Sequence, residues 1–163
     1  MLEGWHFQNA YVTRDIEKAI DDLRLRLGVT AEVTTLTLDQ ELWTPAGSGL
    51  AKQKIALLWI NDLQYELIQP ISGNIATYAD GLPDGDGMKF HHVGIRIDDW
   101  DDFRDRVNRQ KVPVAVEGSS GSDLRFLYLD ARDTLGHFLE YVWCTPMMWD
   151  VISAGKKAST LQQ

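Results

Sequence analysis

Four residues of this chain have types and positions that suit chemistry at a metal ion. Gln8 and His92 occupy matching places in two similar segments, residues 8–20 and 92–104. Glu66 and Glu140 come late in each half, each a single acid in an otherwise apolar strand-like stretch, Leu63-Gln64-Tyr65-Glu66-Leu67-Ile68 and His137-Phe138-Leu139-Glu140-Tyr141-Val142-Trp143. Self-similarity of this kind sets the frame for every other reading. An imidazole, an amide oxygen and two carboxylates form a mixed donor set that fits one divalent ion such as Zn, Ni, Co, Fe or Mn. The two carboxylate charges balance the ion, and four protein donors leave room for water or for neighbouring substrate oxygens. A carbonyl oxygen held there is polarised, which acidifies the proton on the adjacent carbon. A carboxylate beside it can take that proton. Taken singly, each residue has a plainer reading, a solvated glutamate at a strand end or a hydrogen-bonded structural histidine. The pairing across the repeat favours the metal.

The elements that must position these four follow from periodicity. Residues 6–13 read as a strand. Residues 15–27 read as a helix with Ile16, Ala19, Ile20, Leu23 and Leu27 on one face, stopped at Gly28. A strand is expected over 31–38, a loop over 45–49, and strands over 53–60 and 63–69 joined by a turn at Asn61-Asp62. Residues 70–87 form a connector rich in Gly, Pro and Asp, with a short helix near 75–79. The second half repeats the order: strand 89–97, helix 99–110, strand 112–116, loop 118–122, and strands 124–130 and 136–143. A short helix at 147–154 and a polar end complete the chain. Each half is thus β-α-β-β-β. The expected fold is α+β: two paired modules, about 6–70 and 88–143, form a curved mixed sheet around a cleft with helices outside. They make one domain, with linker 71–87 and tail 144–163. Strand alternation places Phe90, His92, Gly94 and Arg96 on the cleft face, and His91, Val93, Ile95 and Ile97 beneath the helix.

Other candidates carry less. His137 has the opposite parity to Glu140, and His6 shares the parity of Gln8 but lies near the chain start. The acidic run 98–102 reads as a helix start, where negative charge is stabilising. Residues 81–87 lack the spacing of a calcium loop, and Cys144 has no evident base partner. No phosphate-cradling glycine loop or serine-hydrolase motif occurs.

Composition bounds the rest. The chain has 163 residues, 44% apolar, with six tryptophans, enough for a buried interior. A net charge of −8 argues against nucleic acid and anionic membranes as partners. One cysteine excludes an internal disulfide and fits a reducing compartment. No signal pattern or membrane-length apolar run is present, so a cytoplasmic location is expected.

The segments at residues 12–20, Glu66-Leu67-Ile68-Gln69-Pro70, Phe90-His91-His92-Val93-Gly94-Ile95 and Gly136-His137-Phe138-Leu139-Glu140 resemble the vicinal oxygen chelate superfamily, the glyoxalase/bleomycin-resistance/dioxygenase group. The resemblance covers roughly residues 6–143. It implies metal ligands at Gln8, Glu66, His92 and Glu140, a set similar to that of glyoxalase I. It also implies a lyase or isomerase that removes a proton next to a carbonyl or thioester and stabilises an enediolate or enolate. Glu140 is then the expected base, with Glu66 as the opposite base in an epimerisation. The surroundings look more like methylmalonyl-CoA epimerase. Both comparisons have departures. Pro70 stands where glyoxalase I usually has a glutathione-holding Asn. Gln8 replaces the early His of the epimerases, and the strand Gln53-Lys54-Ile55-Ala56-Leu57 lacks their additional acid. Gln8 at a His position also argues against an extradiol-type dioxygenase. The resemblance implies a small-molecule substrate (a thioester, a hemithioacetal or an oxo-acid) and a homodimer. The alternative is a non-catalytic small-molecule binder of the bleomycin-resistance kind, its cleft lined by Trp59, Trp143 or Phe126.

Overall fold

The computed structural model describes residues 3–156. The first half runs β1 (Trp5–Thr13), α1 (Ile16–Leu27), β2 (Thr34–Thr44), β3 (Gly47–Ile60) and β4 (Leu63–Gly73). After α2 (Ala76–Ala79), the second half gives β5 (Met88–Arg96), α3 (Trp100–Gln110), β6 (Val114–Ser120) and β7 (Leu124–Asp130), then α4 (Arg132–Leu135) and β8 (Phe138–Cys144). Helix α5 (Pro146–Ile152) follows. The repeat is visible in the helix ends. Asp15 caps α1 by accepting from the Lys18 amide at 3.0 Å, and Asp99 caps α3 by accepting from the Asp102 amide at 2.9 Å. Helix α1 stops on Gly28 at φ 65°, a left-handed conformation that glycine adopts without a Cβ clash.

The eight strands close into a barrel in the order β1-β4-β3-β2-β6-β7-β8-β5. Each half contributes the same internal order, with its first and last strands parallel (β1 with β4, β5 with β8). The halves join in two unequal ways. Strands β1 and β5 pair antiparallel along most of their length. Strands β2 and β6 pair only at Leu42–Gly118 and Trp43–Glu117. The curved sheet of the sequence reading is therefore fully closed, with one narrow seam.

Strand alternation sorts the apolar side chains into three clusters. Ala10, Ile55, Ile68, Phe126, Tyr128, Phe138 and Val142 fill the barrel interior. Ala56, Leu58 and Leu67 pack outward against Ile16, Ala19 and Leu23 of α1. Leu127, Leu129, Leu139 and Tyr141 pack outward against Phe103 and Val107 of α3. Strands apolar on both faces, such as β8, are thus covered on both sides. Helix α5 covers the interior at one side. Its Trp149 meets Phe7 edge-on at 5.2 Å, and the Trp59 indole N–H donates to the Ile152 carbonyl at 3.1 Å.

Several boundaries differ from the sequence reading. The expected loop over 45–49 is a two-residue turn at Pro45-Ala46, because Gly47–Gly49 already pair with β2. Strand β2 begins and ends later than expected, drawn out by its long ladder with β3. Residues 118–120, expected in a loop, are the end of β6 paired with β7. Helix α4 was not anticipated. Among the described residues no helix is long and apolar enough to cross a membrane.

Candidate metal centre

Register brings the four sequence candidates onto one inner patch. Gln8 on β1 lies opposite Gln64 on β4 and Gly94 on β5, and Gly94 lies opposite Glu140 on β8. One step along, Ala10 separates Glu66 on β4 from His92 on β5. Both rows face the interior, since Gln8/Ala10 and Gln64/Glu66 are two residues apart. Gly94 keeps the centre open. A Cβ there would come within 2.7 Å of Gln8 Oε1 and 2.8 Å of its Cβ.

His92 is fully buried, with Nε2 lying 3.2 Å from Glu140 Oε2 and 3.6 Å from Glu66 Oε2. That nitrogen makes no hydrogen bond, and neither does the buried Gln8 Oε1. The Gln8 amide is oriented by its other end, where Nε2 donates to Gln64 Oε1 at 2.8 Å. The His92 tautomer follows from its neighbour. His91 Nε2 is 3.1 Å from the Thr77 carbonyl, which can only accept, so this nitrogen carries the proton. The remaining His91 nitrogen, Nδ1, then accepts across 2.9 Å from His92 Nδ1. The His92 proton sits on Nδ1, and Nε2 presents a lone pair toward two carboxylates.

Burial governs the charges. Desolvation and the Glu140 charge push the Glu66 carboxyl well above the usual range, and desolvation raises Glu140 against an opposing hydrogen bond from Tyr128. Desolvation lowers both His91 and His92 to about 3, so both rings are neutral. A chain of hydroxyls supports Glu140. Tyr78 donates to the Tyr128 hydroxyl at 3.3 Å, and Tyr128 bonds Glu140 in turn.

A bare nitrogen, an orphaned amide oxygen and two acids facing one another are relieved either by a proton, which the raised carboxyls can share with His92 Nε2, or by a cation among them. As they stand, no three His, Cys, Asp or Glu side chains among the described residues are placed to hold a metal ion. His92, Glu66 and Glu140 would therefore have to draw together, with Gln8 Oε1, around one. Adjacent donors around a first-row ion at about 2.0–2.2 Å lie roughly 3 Å apart. The Glu140 contact already has that spacing, and Glu66 needs only a small side-chain adjustment.

Two sequence expectations are corrected here, for one reason. Strands β1 and β5 each carry a bulge at the site: Phe7 is unpaired between His6 and Gln8, and His91 is unpaired between Phe90 and His92. An extra residue breaks alternation and re-aims side chains. His91 therefore does not sit beneath α3. It points inward beside His92 and stacks on Tyr78 of α2 at 5.2 Å. Phe90 turns to the outer face, against Tyr11 and His137. The second bulge turns Phe7 inward beside Gln8, where it lines the cavity. Of the proposed cleft aromatics, Phe126 lines the cavity, Trp59 is buried under α5, and Trp143 packs in the outer cluster. His6 bonds Asn9 Oδ1 at 2.9 Å and His137 bonds the Phe138 carbonyl at 2.8 Å, so both are engaged locally. Gln64 and Tyr128 were missed. Parity could have flagged Gln64, two residues before Glu66.

The site opens into a cavity of about 370 Å³, within the range of small-molecule sites. The family model described as the Glyoxalase/Bleomycin resistance protein/Dioxygenase superfamily matches residues 7–128. The chain belongs to this superfamily. A comparison with curated protein sequences finds no match. Among solved structures, chains of similar fold align over most of the molecule. Methylmalonyl-CoA epimerase from Mycobacterium tuberculosis aligns with a TM-score of 0.58 and 19% identity over 91% of this chain and 96% of the other. A variant of the Streptomyces coelicolor methylmalonyl-CoA epimerase in complex with 2-nitronate-propionyl-CoA gives 0.59 and 17%, over 87% and 98%. A methylmalonyl-CoA epimerase in complex with methylmalonyl-CoA and NH4+ gives 0.59 and 16%, over 88% and 96%. At these identities the likeness speaks for the fold.

Proposed function

We propose that this chain is a divalent-metal-dependent lyase or isomerase of the glyoxalase kind, abstracting a proton next to a carbonyl or thioester. The observation that carries this reading is the convergence of two orphaned buried donors, His92 Nε2 and Gln8 Oε1, with two carboxylates at one end of a cavity. Gln8, Glu66, His92 and Glu140 would hold the ion. When bound, it polarises the substrate carbonyl and stabilises the negative charge left as the proton departs. The protein's share is positioning and proton transfer. Glu140, raised by burial and steadied by Tyr128, takes the proton from the carbon next to the carbonyl. Glu66, raised in the same way, stands on the other side of His92 and can return a proton there in an epimerisation. The apolar walls Ile55, Ile68 and Phe126 exclude water from the carbanion-like state. Epimerisation, the reaction named for the structural neighbours, belongs to the same class of chemistry.

Metal content tests the reading. Elemental analysis of the purified chain, compared with a His92→Ala/Glu140→Ala double variant, should give about one transition-metal ion per chain that the variant loses. Absence of metal in both, even after addition of Zn, Ni, Co or Mn, would sink the mechanism and favour a non-catalytic binder. Glu140→Gln should lower turnover by roughly 10²–10⁴-fold while ligand binding persists. A binder would not register the change.

A further inference from the structure

The inward-facing amides and phenols of the cavity are held by protein acceptors, with one exception. Gln40 donates to the Ser119 carbonyl, Gln53 to the Tyr78 hydroxyl and Tyr78 to Tyr128, which in turn bonds Glu140. The Gln8 amide donates to Gln64 Oε1 at 2.8 Å. Gln64 is the exception. It lies on β4 two residues before Glu66 and opposite Gln8 in register, and only 2% of it is exposed. The two-residue spacing turns it inward like Glu66, and it lines the cavity. Its oxygen is taken by Gln8, while its nitrogen has no partner among the described residues.

The metal reading fixes the direction of both amides. Gln8 turns its oxygen to the donor set, so its nitrogen faces Gln64, where only an oxygen can accept. The Gln64 nitrogen is left over, a donor one amide beyond a proposed metal ligand. Holding Gln8 in place uses the Gln64 oxygen alone. A polar N–H kept at an apolar wall without an acceptor is costly, and a bound molecule can supply the acceptor. We propose that Gln64 is a substrate-binding residue, its Nε2 donating to an oxygen of the bound substrate beside Glu66 and Glu140. The group it recognises is an acceptor such as a carbonyl or carboxylate oxygen. The role rests on the metal-dependent reading of the same site. An ion on Gln8 Oε1 would polarise the Gln8 amide, which would strengthen the Gln64 N–H as a donor in turn, since hydrogen bonds in series reinforce one another.

Two probes test this on the full chain saturated with zinc. Acetohydroxamate and ethanethiol both bind zinc as monoanions, the first through oxygen and the second through sulfur, a weak acceptor. The readout is the ratio of their affinities in calorimetric titrations, in which changes of charge or metal geometry common to both cancel. Gln64→Met should lower the hydroxamate-to-thiol ratio about tenfold. Gln64→Glu keeps an acceptor for the Gln8 amide, and beside a divalent ion its carboxyl is ionised and cannot donate. This variant should retain metal affinity, measured by competition with a chromogenic chelator, while its ratio falls as in Gln64→Met. A ratio unchanged in both variants overturns the proposal and leaves Gln64 as a support for Gln8. A ratio restored by Gln64→Glu does the same, because the acceptor alone then suffices. A wild-type chain that takes up no zinc removes the metal reading and this role with it. Zinc uptake with an unchanged ratio removes this role alone.

Discussion

The contact between His91 Nδ1 and His92 Nδ1, 2.9 Å, does more than fill space. It fixes which nitrogen of His92 is bare, and outer partners of this kind commonly tune metal affinity by about 10–100-fold. Replacing His91 by Phe keeps the ring stacked on Tyr78 but removes the acceptor. Metal affinity, measured by competition with a chromogenic chelator, should fall by about that factor while the far-UV spectrum is unchanged. An unaltered affinity would show that His91 only packs. The ionisable groups also make a signed prediction about pH. Glu66 and Glu140 are raised in the folded chain, so above their ordinary value the native state holds more protons than the unfolded state, and stability falls as pH rises. His91 and His92 are lowered from 6.5 to about 3, so they add stability as pH rises across that interval and nothing further above 6.5. The metal-free chain should therefore lose stability as pH climbs above 6.5, in urea titrations at successive pH values. Added divalent ion should abolish the loss, because it takes the place of the shared proton.

Strand pairing sets the geometry of the site. Gly94 stands between Gln8 and Glu140 in one cross-strand row, and an added methyl would collide with Gln8. Gly94→Ala should displace the Gln8 amide and weaken metal binding by roughly tenfold. Stability should fall as well, by about 1–3 kcal/mol, because the Gln8 Cβ at 2.8 Å cannot yield without moving its strand. Calorimetry of metal binding beside thermal melts would separate the two effects. The two bulges belong to this scale as well. Each adds one residue to the β1–β5 pair beside the site, and each turns an aromatic ring inward. Helix periodicity and caps were legible in the sequence because they depend on neighbours within four residues. A bulge was not, because it depends on which residue of another strand arrives opposite.

The donors come from both halves of the molecule, Gln8 and Glu66 from the first and His92 and Glu140 from the second. An ion bound among them should tie the halves together and stabilise the whole barrel, by about 2.7 kcal/mol at one hundred times its Kd. Thermal unfolding should shift upward with metal as a single transition. The shift should vanish in the Glu66→Ala/His92→Ala variant. A metal-induced shift that survived in that variant would place the ion elsewhere.

The sequence by itself determined the two-module repeat, the capped helices, the inward parity of His92, and the superfamily. All of these are encoded in short-range periodicity and short motifs. Tertiary structure decided the closed barrel, the inward turn of His91 and Phe7, and the outward turn of Phe90. It also decided the Tyr78–Tyr128–Glu140 chain and the short seam where β2 leaves β6. These depend on which strands, remote in sequence, become neighbours when the sheet curls and closes, and on the residues that closure leaves over in the ladder. Local alternation carries no record of either.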